Sequence, residues 1–321
     1  MNIYHYCTNG CWFCEVKEYA RKSHMEFTRW KELRDFLVKL DLADRVTINL
    51  VCGEPSLFPD KLRKAKKEID KIKRVKPVDI VYSTIVCGHN PQNVLDLISD
   101  GVLSTEAMMI SYDGIDDGRH HYAHHALPIL APIVPCIATV LDSDTVVNIR
   151  SILDDMVRYK ANSWCYYYLL DDKSYSDEKF IQNFKEIFLP TIYEYKDKLH
   201  IYNIENFKYG RRTIRNLVCK YGEEVTVTVK GKVYPCGIMD EICEYSPYVE
   251  PTADISDDID HINRELDRMR KLCVTDTCNY GACECIHCTD CALAAKIRPH
   301  TVHQQCALRY LELDAHKSHI Y

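Results

Sequence analysis

The feature that most constrains this chain is a group of three cysteines close to its N-terminus. Cys7, Cys11 and Cys14 are separated by three and then two residues, and they follow a short strand predicted over residues 2–6. Three thiolates on one tight loop can hold three irons of a [4Fe–4S] cube and leave the fourth iron open to a chelating cofactor. A structural zinc loop is the alternative, but zinc prefers four ligands in a closed site, and no fourth cysteine or histidine follows closely.

An aromatic residue, Phe13, lies directly before the last of these cysteines. This spacing with that aromatic resembles the signature of the radical S-adenosylmethionine (radical SAM) enzymes. The resemblance implies that the three cysteines ligate a [4Fe–4S] cluster whose open iron binds the amino and carboxylate groups of S-adenosylmethionine, and that Phe13 belongs to the cofactor site. One electron from such a cluster cleaves the cofactor to a 5′-deoxyadenosyl radical.

The second predicted strand, residues 46–52, ends in the turn Cys52-Gly53-Glu54-Pro55. On its own, a Gly-Glu-Pro sequence is typical of a plain β-turn. After the cysteine motif it resembles the GGEP segment of radical SAM enzymes, with Cys52 in place of the first glycine. The resemblance implies that Gly53, Glu54 and Pro55 line the methionine end of S-adenosylmethionine.

Two further predicted strand ends carry hydroxyl and carboxylate side chains. The sequence ISYDG at residues 110–114 resembles the ISLDG segment of the peptide-modifying branch of the family, which implies that Ser111 and Asp113 lie near the ribose of the cofactor. Ser83 and Thr84 end the third predicted strand, where that branch often has a Thr-Asn-Gly turn, and the resemblance makes Ser83 a candidate cofactor residue. A ribose diol needs such partners on rigid strand ends.

Strands and helices alternate through the first two thirds of the chain. Apolar runs and helical periodicity predict strands over 2–6, 46–52, 78–84, 108–112, 133–140 and 163–170, and helices from a Thr28 cap and over 59–75, 93–99, 145–159 and 177–199. Such alternation predicts an α/β fold of parallel βαβ units. Six units resemble the partial (β/α)6, TIM-like barrel of the radical SAM family, which we expect over residues 1–205, with ligands at the carboxyl ends of the strands.

The pattern changes in residues 206–321, where we expect a small cysteine-rich iron–sulfur domain. Residues 223–235 alternate β-branched side chains around a Lys-Gly turn, which predicts a β-hairpin. Cys219, Gly231 and Cys236 span this hairpin and match the opening of the SPASM domain and of its shorter relative, the twitch domain. The resemblance implies that Cys219 and Cys236, which the hairpin brings together, ligate an auxiliary [4Fe–4S] cluster.

The later cysteines of this region depart from the SPASM pattern. Two residues separate Cys285 from Cys288, and two more separate Cys288 from Cys291. Fourteen residues lie between Cys291 and Cys306. Together with the hairpin cysteines they are candidate ligands of one or two auxiliary [4Fe–4S] clusters. A zinc ribbon in the same place is the alternative.

The sixth predicted strand contains Cys165 beside three consecutive tyrosines, of which one or two can face a pocket. Cys165 is either a buried small apolar residue or a pocket thiol that donates a hydrogen atom, a role needed only by an epimerase. Cys136 is the second such thiol, although the apolar run around it favours the core. Residues 120–125, HHYAHH, have the spacing of a metal pair, but we expect an ordinary surface segment.

Bulk composition narrows the class of protein. A formal net charge of −6 argues against a general nucleic-acid-binding protein, and no apolar run is long enough to cross a bilayer. Because the cysteine motif starts at Cys7, we expect no signal peptide, and seventeen cysteines in 321 residues then indicate metal ligation in a reducing compartment. We therefore expect a cytoplasmic protein.

The leading hypothesis is a radical SAM enzyme that abstracts a hydrogen atom from a ribosomally made precursor peptide, with a flavodoxin or ferredoxin as its reductant. Crosslinking, epimerisation and oxidation are the open outcomes. Gly237 disfavours sulfatase maturation, because those relatives carry an aspartate base directly after the hairpin cysteine. Because the motif begins at Cys7, we expect no leader-binding domain before it, so the peptide would dock on the barrel, on the C-terminal domain or through a separate protein.

Two other classes are weighed against this hypothesis. The first is small-molecule chemistry, as in the twitch dehydrogenases or the cyclase of molybdenum-cofactor synthesis. The spacing from Cys288 to Cys306 is close to that of the cyclase, but the chain ends in His-Ile-Tyr and lacks the Gly-Arg-Arg-Gly-Gly tail. The second is a non-catalytic iron–sulfur or zinc scaffold.

Overall fold

The structure is a computed structural model, and it describes most of the chain outside the cysteine-rich stretches. The described residues are 1, 3, 4, 7, 11, 25–50, 53–114, 121–168, 177–204, 225–234, 253–273, 308, 311, 312, 314–316 and 318. They fall into two units, each built from two chain segments. The first unit comprises Met1–Ile110 and Gly222–Lys271, and the second comprises Ser111–Tyr221 and Leu272–Tyr321.

Helices and strands alternate along the described chain, as the sequence predicts. The helices are α1 (Trp30–Lys39), α2 (Pro59–Ile69), α3 (Pro91–Ser99), α4 (His121–Leu130), α5 (Ser143–Val147), α6 (Ile149–Arg158), α7 (Glu178–Asn183), α8 (Leu189–Tyr195) and α9 (Ile259–Cys273). The strands are β1 (Arg45–Asn49), β2 (Asp79–Ser83), β3 (Ile85–Val86), β4 (Met109–Ser111), β5 (Cys136–Leu141), β6 (Ser163–Tyr168), β7 (His200–Ile201), β8 (Thr226–Val227) and β9 (Val233–Tyr234). Short 3₁₀ turns cover Pro55–Leu57, Asp70–Arg74 and Thr105–Ala107, and a π turn at Phe184–Phe188 joins α7 to α8.

The strands before the hairpin pair in parallel. In the first unit β1 pairs with β2, and β3 with β4. In the second unit β5 pairs with β6, and β6 with β7. Because parallel neighbours need a crossover between them, the helices that intervene follow directly from this pairing. The expected α/β class with parallel strands is thus confirmed, whereas the barrel closure and the boundary after residue 205 stay predictions.

Helix α1 forms because Trp30, Leu33 and Phe36 recur at helical spacing and bury one face. The predicted cap at Thr28 is wrong. Arg29 is the residue that precedes the helix, and it makes no side-chain cap bond. Its guanidinium instead forms a two-pronged ion pair with Asp254, at 2.7 and 2.9 Å, in the second segment of the first unit.

Helix α2 begins at the predicted residue 59, whereas α3 begins at Pro91, two residues before its predicted start, and ends at the predicted residue 99. Pro59 occupies the first turn of α2, and the predicted helix over 59–75 continues as the 3₁₀ turn Asp70–Arg74. The Asn90 side chain caps α3 by accepting from the Asn93 N–H. Gly101 follows α3 with a φ of +64°, a left-handed conformation that ends a helix at little cost to glycine.

Two helices in the second unit differ from the prediction. Residues 121–125 of the segment expected at the surface belong to helix α4, which forms because Ala123, Ala126 and Leu127 line one buried face. The helix predicted over 145–159 is interrupted at Asn148, whose conformation is not helical, so α5 and α6 are separate.

The predicted hairpin is present as the antiparallel pair β8–β9. Gly231 in its turn has a φ of +86°, and an added Cβ would lie 2.5 Å from Nη1 of Arg29. The positive φ therefore favours glycine here, and any larger residue would also have to displace the end of the Arg29 side chain. Among the helices that the structure describes, none combines the length and apolar character that crossing a membrane requires.

Candidate functional site

The turn after β1 is built around the buried carboxylate of Glu54. One oxygen accepts from the backbone N–H of Cys87 at 2.8 Å, and the other accepts from the Ser56 N–H, the Ser56 hydroxyl and the Gly88 N–H. Burial lowers the pKa of the neighbouring His89, while the charge of Glu54 acts in the opposite direction. The Glu54 carboxylate thus ties its own turn to the loop after β3.

The backbone around Glu54 has a fixed geometry. Gly53 has a φ of +64°, and Pro55 begins the 3₁₀ turn that Glu54 caps through its bond to Ser56. The predicted cofactor residues Gly53, Glu54 and Pro55 therefore form one rigid turn. Their contact with S-adenosylmethionine stays a prediction.

The N-terminal segment lies beside this turn. The amino group of Met1 donates to the Asn49 carbonyl at the end of β1, at 2.9 Å. The ring of Tyr4 packs edge-to-face against Phe58, with ring centroids 4.8 Å apart. The segment that precedes the cysteine motif in the sequence thus contacts the chain on both sides of the Glu54 turn, at Asn49 and at Phe58.

Two of the three motif cysteines are described. Cys7 and Cys11 are partly exposed, and neither is in a disulfide. Cys14 and Phe13 lie outside the described residues. So do the predicted C-terminal ligands, which are Cys219, Cys236, Cys285, Cys288, Cys291 and Cys306. Within the described part of the chain no group of three or more His, Cys, Asp or Glu side chains is arranged to hold a metal ion.

Ser83, at the end of β2, lies opposite Asn49 of β1 in the strand register. Its hydroxyl donates to the Ala107 carbonyl, and its own carbonyl accepts from the Leu50 N–H at 2.8 Å. The next residue, Thr84, donates to the Leu50 carbonyl at 2.7 Å. The hydrogen bonds of Ser83 and Thr84 thus fix the register of β1 and β2 at their carboxyl ends.

The chain that follows β4 is held by hydrogen bonds within the second unit. Asp113 is buried, and its carboxylate accepts from the Val140 N–H at 2.7 Å. The Tyr112 carbonyl accepts from the Thr139 hydroxyl, which in turn accepts from the Trp164 indole N–H, both at 2.7 Å. These bonds fix the strand ends on which the predicted ribose-binding pair Ser111 and Asp113 stands. Ser111 itself is partly exposed at the last position of β4.

Cys165 lies at the middle of β6 and is buried, with 7 % of its surface exposed. Its Sγ is 3.4 Å from that of Cys136 on β5. Of the tyrosines beside it, Tyr166 is buried and Tyr167 is 47 % exposed. The structure therefore brings together the two thiols that the sequence singled out separately.

Two buried polar clusters in the second unit have no counterpart in the sequence predictions. The Tyr112 hydroxyl donates to Asp155 at 2.5 Å and lies 3.2 Å from His124 Nδ1. Glu312 is buried and accepts from the hydroxyls of Tyr166 and Tyr168, at 2.5 and 2.6 Å. The sequence does not show which residues are paired in either cluster, because the hydrogen-bonded partners are 12 to 146 residues apart.

The sequence matches no protein-family model and no curated protein. Solved structures do match. Native anSMEcpe with bound AdoMet is 13 % identical to this chain, with a TM-score of 0.62. The same protein with bound AdoMet and Cp18Cys peptide is 12 % identical, with a TM-score of 0.59. Each of these two matches covers 98 % of both chains. Streptococcus suis SuiB bound to S-adenosylmethionine is 12 % identical with a TM-score of 0.54, over 91 % of this chain and 70 % of SuiB. The chain therefore shares the fold of anSMEcpe and SuiB, as its resemblance to radical SAM enzymes predicts.

Proposed function

We propose that the protein is a radical SAM enzyme that modifies a ribosomally made peptide. The observation that carries the proposal is the likeness of fold to anSMEcpe, over 98 % of both chains, in structures with bound AdoMet and with bound peptide. The proposal includes a partial (β/α)6 barrel over residues 1–205 and a SPASM-like domain over residues 206–321. It names a flavodoxin or ferredoxin as reductant.

The donor set at the N-terminus suits an iron–sulfur cluster. Cys7 and Cys11 are partly exposed, and thiolates are the ligands that such clusters use. With Cys14 they would hold three irons. When bound there, the cluster and S-adenosylmethionine would supply a 5′-deoxyadenosyl radical able to take hydrogen from an unactivated carbon.

The chain's own residues would act by positioning. The Glu54 carboxylate holds Gly53 and Pro55 in one turn next to the segment that leads to Cys7. Asp113 and Thr139 fix the chain after β4, where Ser111 and Asp113 would bind the ribose. Rigid strand ends of this kind keep a cofactor in one orientation, which a radical reaction needs in order to attack a single carbon.

Removing the motif thiols tests the proposal. In a variant with Cys7, Cys11 and Cys14 all replaced by Ala, anaerobically reconstituted and supplied with dithionite, we expect 5′-deoxyadenosine formation to fall to background while iron remains bound through the C-terminal cysteines. Cys136→Ala is the matched control, because it removes one buried thiol elsewhere and should keep cleavage. Cofactor cleavage by the triple variant would refute the proposal.

The reaction class is distinguished by isotope uptake. An epimerase must return a hydrogen to the substrate carbon from a thiol such as Cys165, so its product gains deuterium in deuterated water. Oxidation or crosslinking removes two hydrogens and adds none. We propose the oxidative outcome, because the C-terminal cysteines would provide clusters that accept the electron. Deuterium in the product, lost in Cys165→Ala while cofactor cleavage persists, would establish epimerisation instead.

A further inference from the structure

The second unit contains a pair of buried thiols in direct contact. Cys136 on β5 and Cys165 on β6 are free, and their Sγ atoms are 3.4 Å apart. The strand register places Ala138 opposite Cys165, so Cys136, two residues earlier, shares its face of the sheet. The contact is therefore set by two paired strands and not by a flexible loop.

The thiol pair lies on the face of β6 opposite the aromatic side chains that pack against Phe188. Trp164 and Tyr166, on the other face, pack against Phe188 with ring centroids 6.5 and 5.0 Å apart. Two residues beyond Cys165 on the thiol face, Tyr167 is 47 % exposed. The pair is thus near an open end of its face, and does not belong to the aromatic core.

The two thiols influence each other's ionisation. The hydrogen bond with Cys165 lowers the pKa of Cys136 despite burial, while the same contact and burial raise the pKa of Cys165. Cys136 is therefore the thiol of the pair that ionises first. A thiolate beside a protonated thiol is the arrangement that reacts with an oxidant and is then resolved by its neighbour.

We propose that Cys136 and Cys165 form a redox-active dithiol that hydrogen peroxide oxidises to a disulfide. The Cys136 thiolate attacks one peroxide oxygen, the O–O bond breaks, and a sulfenic acid and hydroxide result. The Cys165 sulfur then attacks the sulfenic sulfur, the S–S bond forms, and the S–O bond breaks with loss of water. Two thiols and one peroxide thus give one disulfide and two waters. Reduction by a small dithiol restores the pair.

The burial of Cys136 and Cys165 limits the size of the oxidant that can reach them. Cys136 is 5 % exposed and Cys165 7 %, which admits a molecule the size of hydrogen peroxide and excludes the active site of a protein disulfide. Oxidation would remove both S–H bonds from this face of β5 and β6. The inference concerns these two side chains alone and does not depend on the proposed function.

Peptide mapping of the full chain tests the inference. Trypsin should release residues 120–150 and 161–173, each with a single cysteine, Cys136 and Cys165 respectively. Anaerobically purified protein is exposed to hydrogen peroxide, alkylated and digested without reductant. We expect a covalently linked pair of these peptides, absent before exposure and lost on treatment with dithiothreitol.

Two variants serve as controls. Cys136→Ser and Cys165→Ser must each abolish the linked species, and Cys165→Ser should accumulate a sulfenic acid on Cys136 that dimedone traps. The wild-type measurement does not depend on whether either variant folds. If both cysteines of the wild type are recovered as alkylated thiols, or as sulfonic acids, at peroxide levels that oxidise other cysteines of the chain, the inference is wrong.

Discussion

Two buried glutamates, one in each unit, satisfy their charge with different kinds of donor. Glu54 in the first unit is fully buried and accepts from three backbone N–H groups, spread over both oxygens, and from the Ser56 hydroxyl. Glu312 in the second unit is also buried, and the hydroxyls of Tyr166 and Tyr168 converge on its Oε1. The first carboxylate organises main chain, and the second ties together side chains.

The difference in donors determines how well each site tolerates a neutral amide in place of the glutamate carboxylate. Backbone N–H groups cannot rotate away, so a side chain that replaces Glu54 must accept hydrogen bonds at the positions of both carboxylate oxygens. Tyrosine hydroxyls can turn, and one amide oxygen can accept from both. Two equally buried glutamates are therefore expected to respond unequally to the same conservative change.

Glu54→Gln is expected to have the largest effect. Whichever way the amide is oriented, its NH2 faces at least one backbone N–H, and a buried donor without an acceptor costs up to about 3 kcal/mol. We expect the free energy of unfolding to fall by about 3 kcal/mol, measured in guanidinium chloride. A loss below about 1 kcal/mol would show that the N–H groups find other acceptors and would remove the contrast with Glu312.

Asp254 sharpens the comparison, because this carboxylate is only partly buried and has an arginine partner. Burial by itself would raise the pKa of Asp254, but hydrogen bonds from Arg29 and Ser256 outweigh it and hold the pKa at about 2, below the ordinary 3.8. The stabilisation is therefore complete above about pH 4 and is lost as the pH falls towards 2. Asp254→Asn should cost about 2 kcal/mol at neutral pH and flatten this part of the stability curve. A variant whose acid-unfolding profile matches the wild type would contradict this.

Glu312→Gln is expected to cost less than Glu54→Gln. The amide oxygen can keep both tyrosine hydroxyls, and their bonds to a neutral acceptor are weaker than bonds to a carboxylate by about 1 kcal/mol. The matched pair of Gln variants is compared by the same denaturant titration. Equal losses at the two sites would show that donor type does not matter.

Tyr168→Phe should have the smallest effect, below about 1 kcal/mol, because Tyr166 still donates to Glu312 and Tyr168 is only partly buried. Tyr166→Phe is the control, because Tyr166 is buried, and it should lower the free energy of unfolding by more than Tyr168→Phe does. The order of the two losses, measured side by side, tests whether burial decides the worth of each hydroxyl. The reverse order would contradict it.

Local signals in the sequence were enough to find most elements and the Glu54 turn. Proline at the start of α2 and the Lys-Gly turn of the hairpin act on neighbouring residues, so both signals can be recognised without tertiary structure. Helix α4 was missed because its histidines and the internal Pro128 weaken its helical signal, whereas its buried face depends on what packs against it.

What the sequence could not provide is the pairing of distant groups. Glu54 was predicted as a site residue, but its bonds to Cys87 and Gly88 depend on where the chain returns 33 and 34 residues later. The contact of Cys136 with Cys165 likewise depends on strand register, since a shift of one residue would place the two thiols on opposite faces. Such partners follow from the fold and not from any local motif.

The buried indole of Trp164 gives the second unit an optical signal of its own. The chain has three tryptophans, and Trp12 and Trp30 both fall in segments of the first unit. With those two replaced by phenylalanine, Trp164 would be the sole emitting indole. Its N–H is bonded to Thr139, and its ring is shielded from water, so its fluorescence should shift to longer wavelength when β5 and β6 separate. The unfolding of the second unit can thus be followed in solution by tryptophan fluorescence, without a tryptophan signal from the first unit.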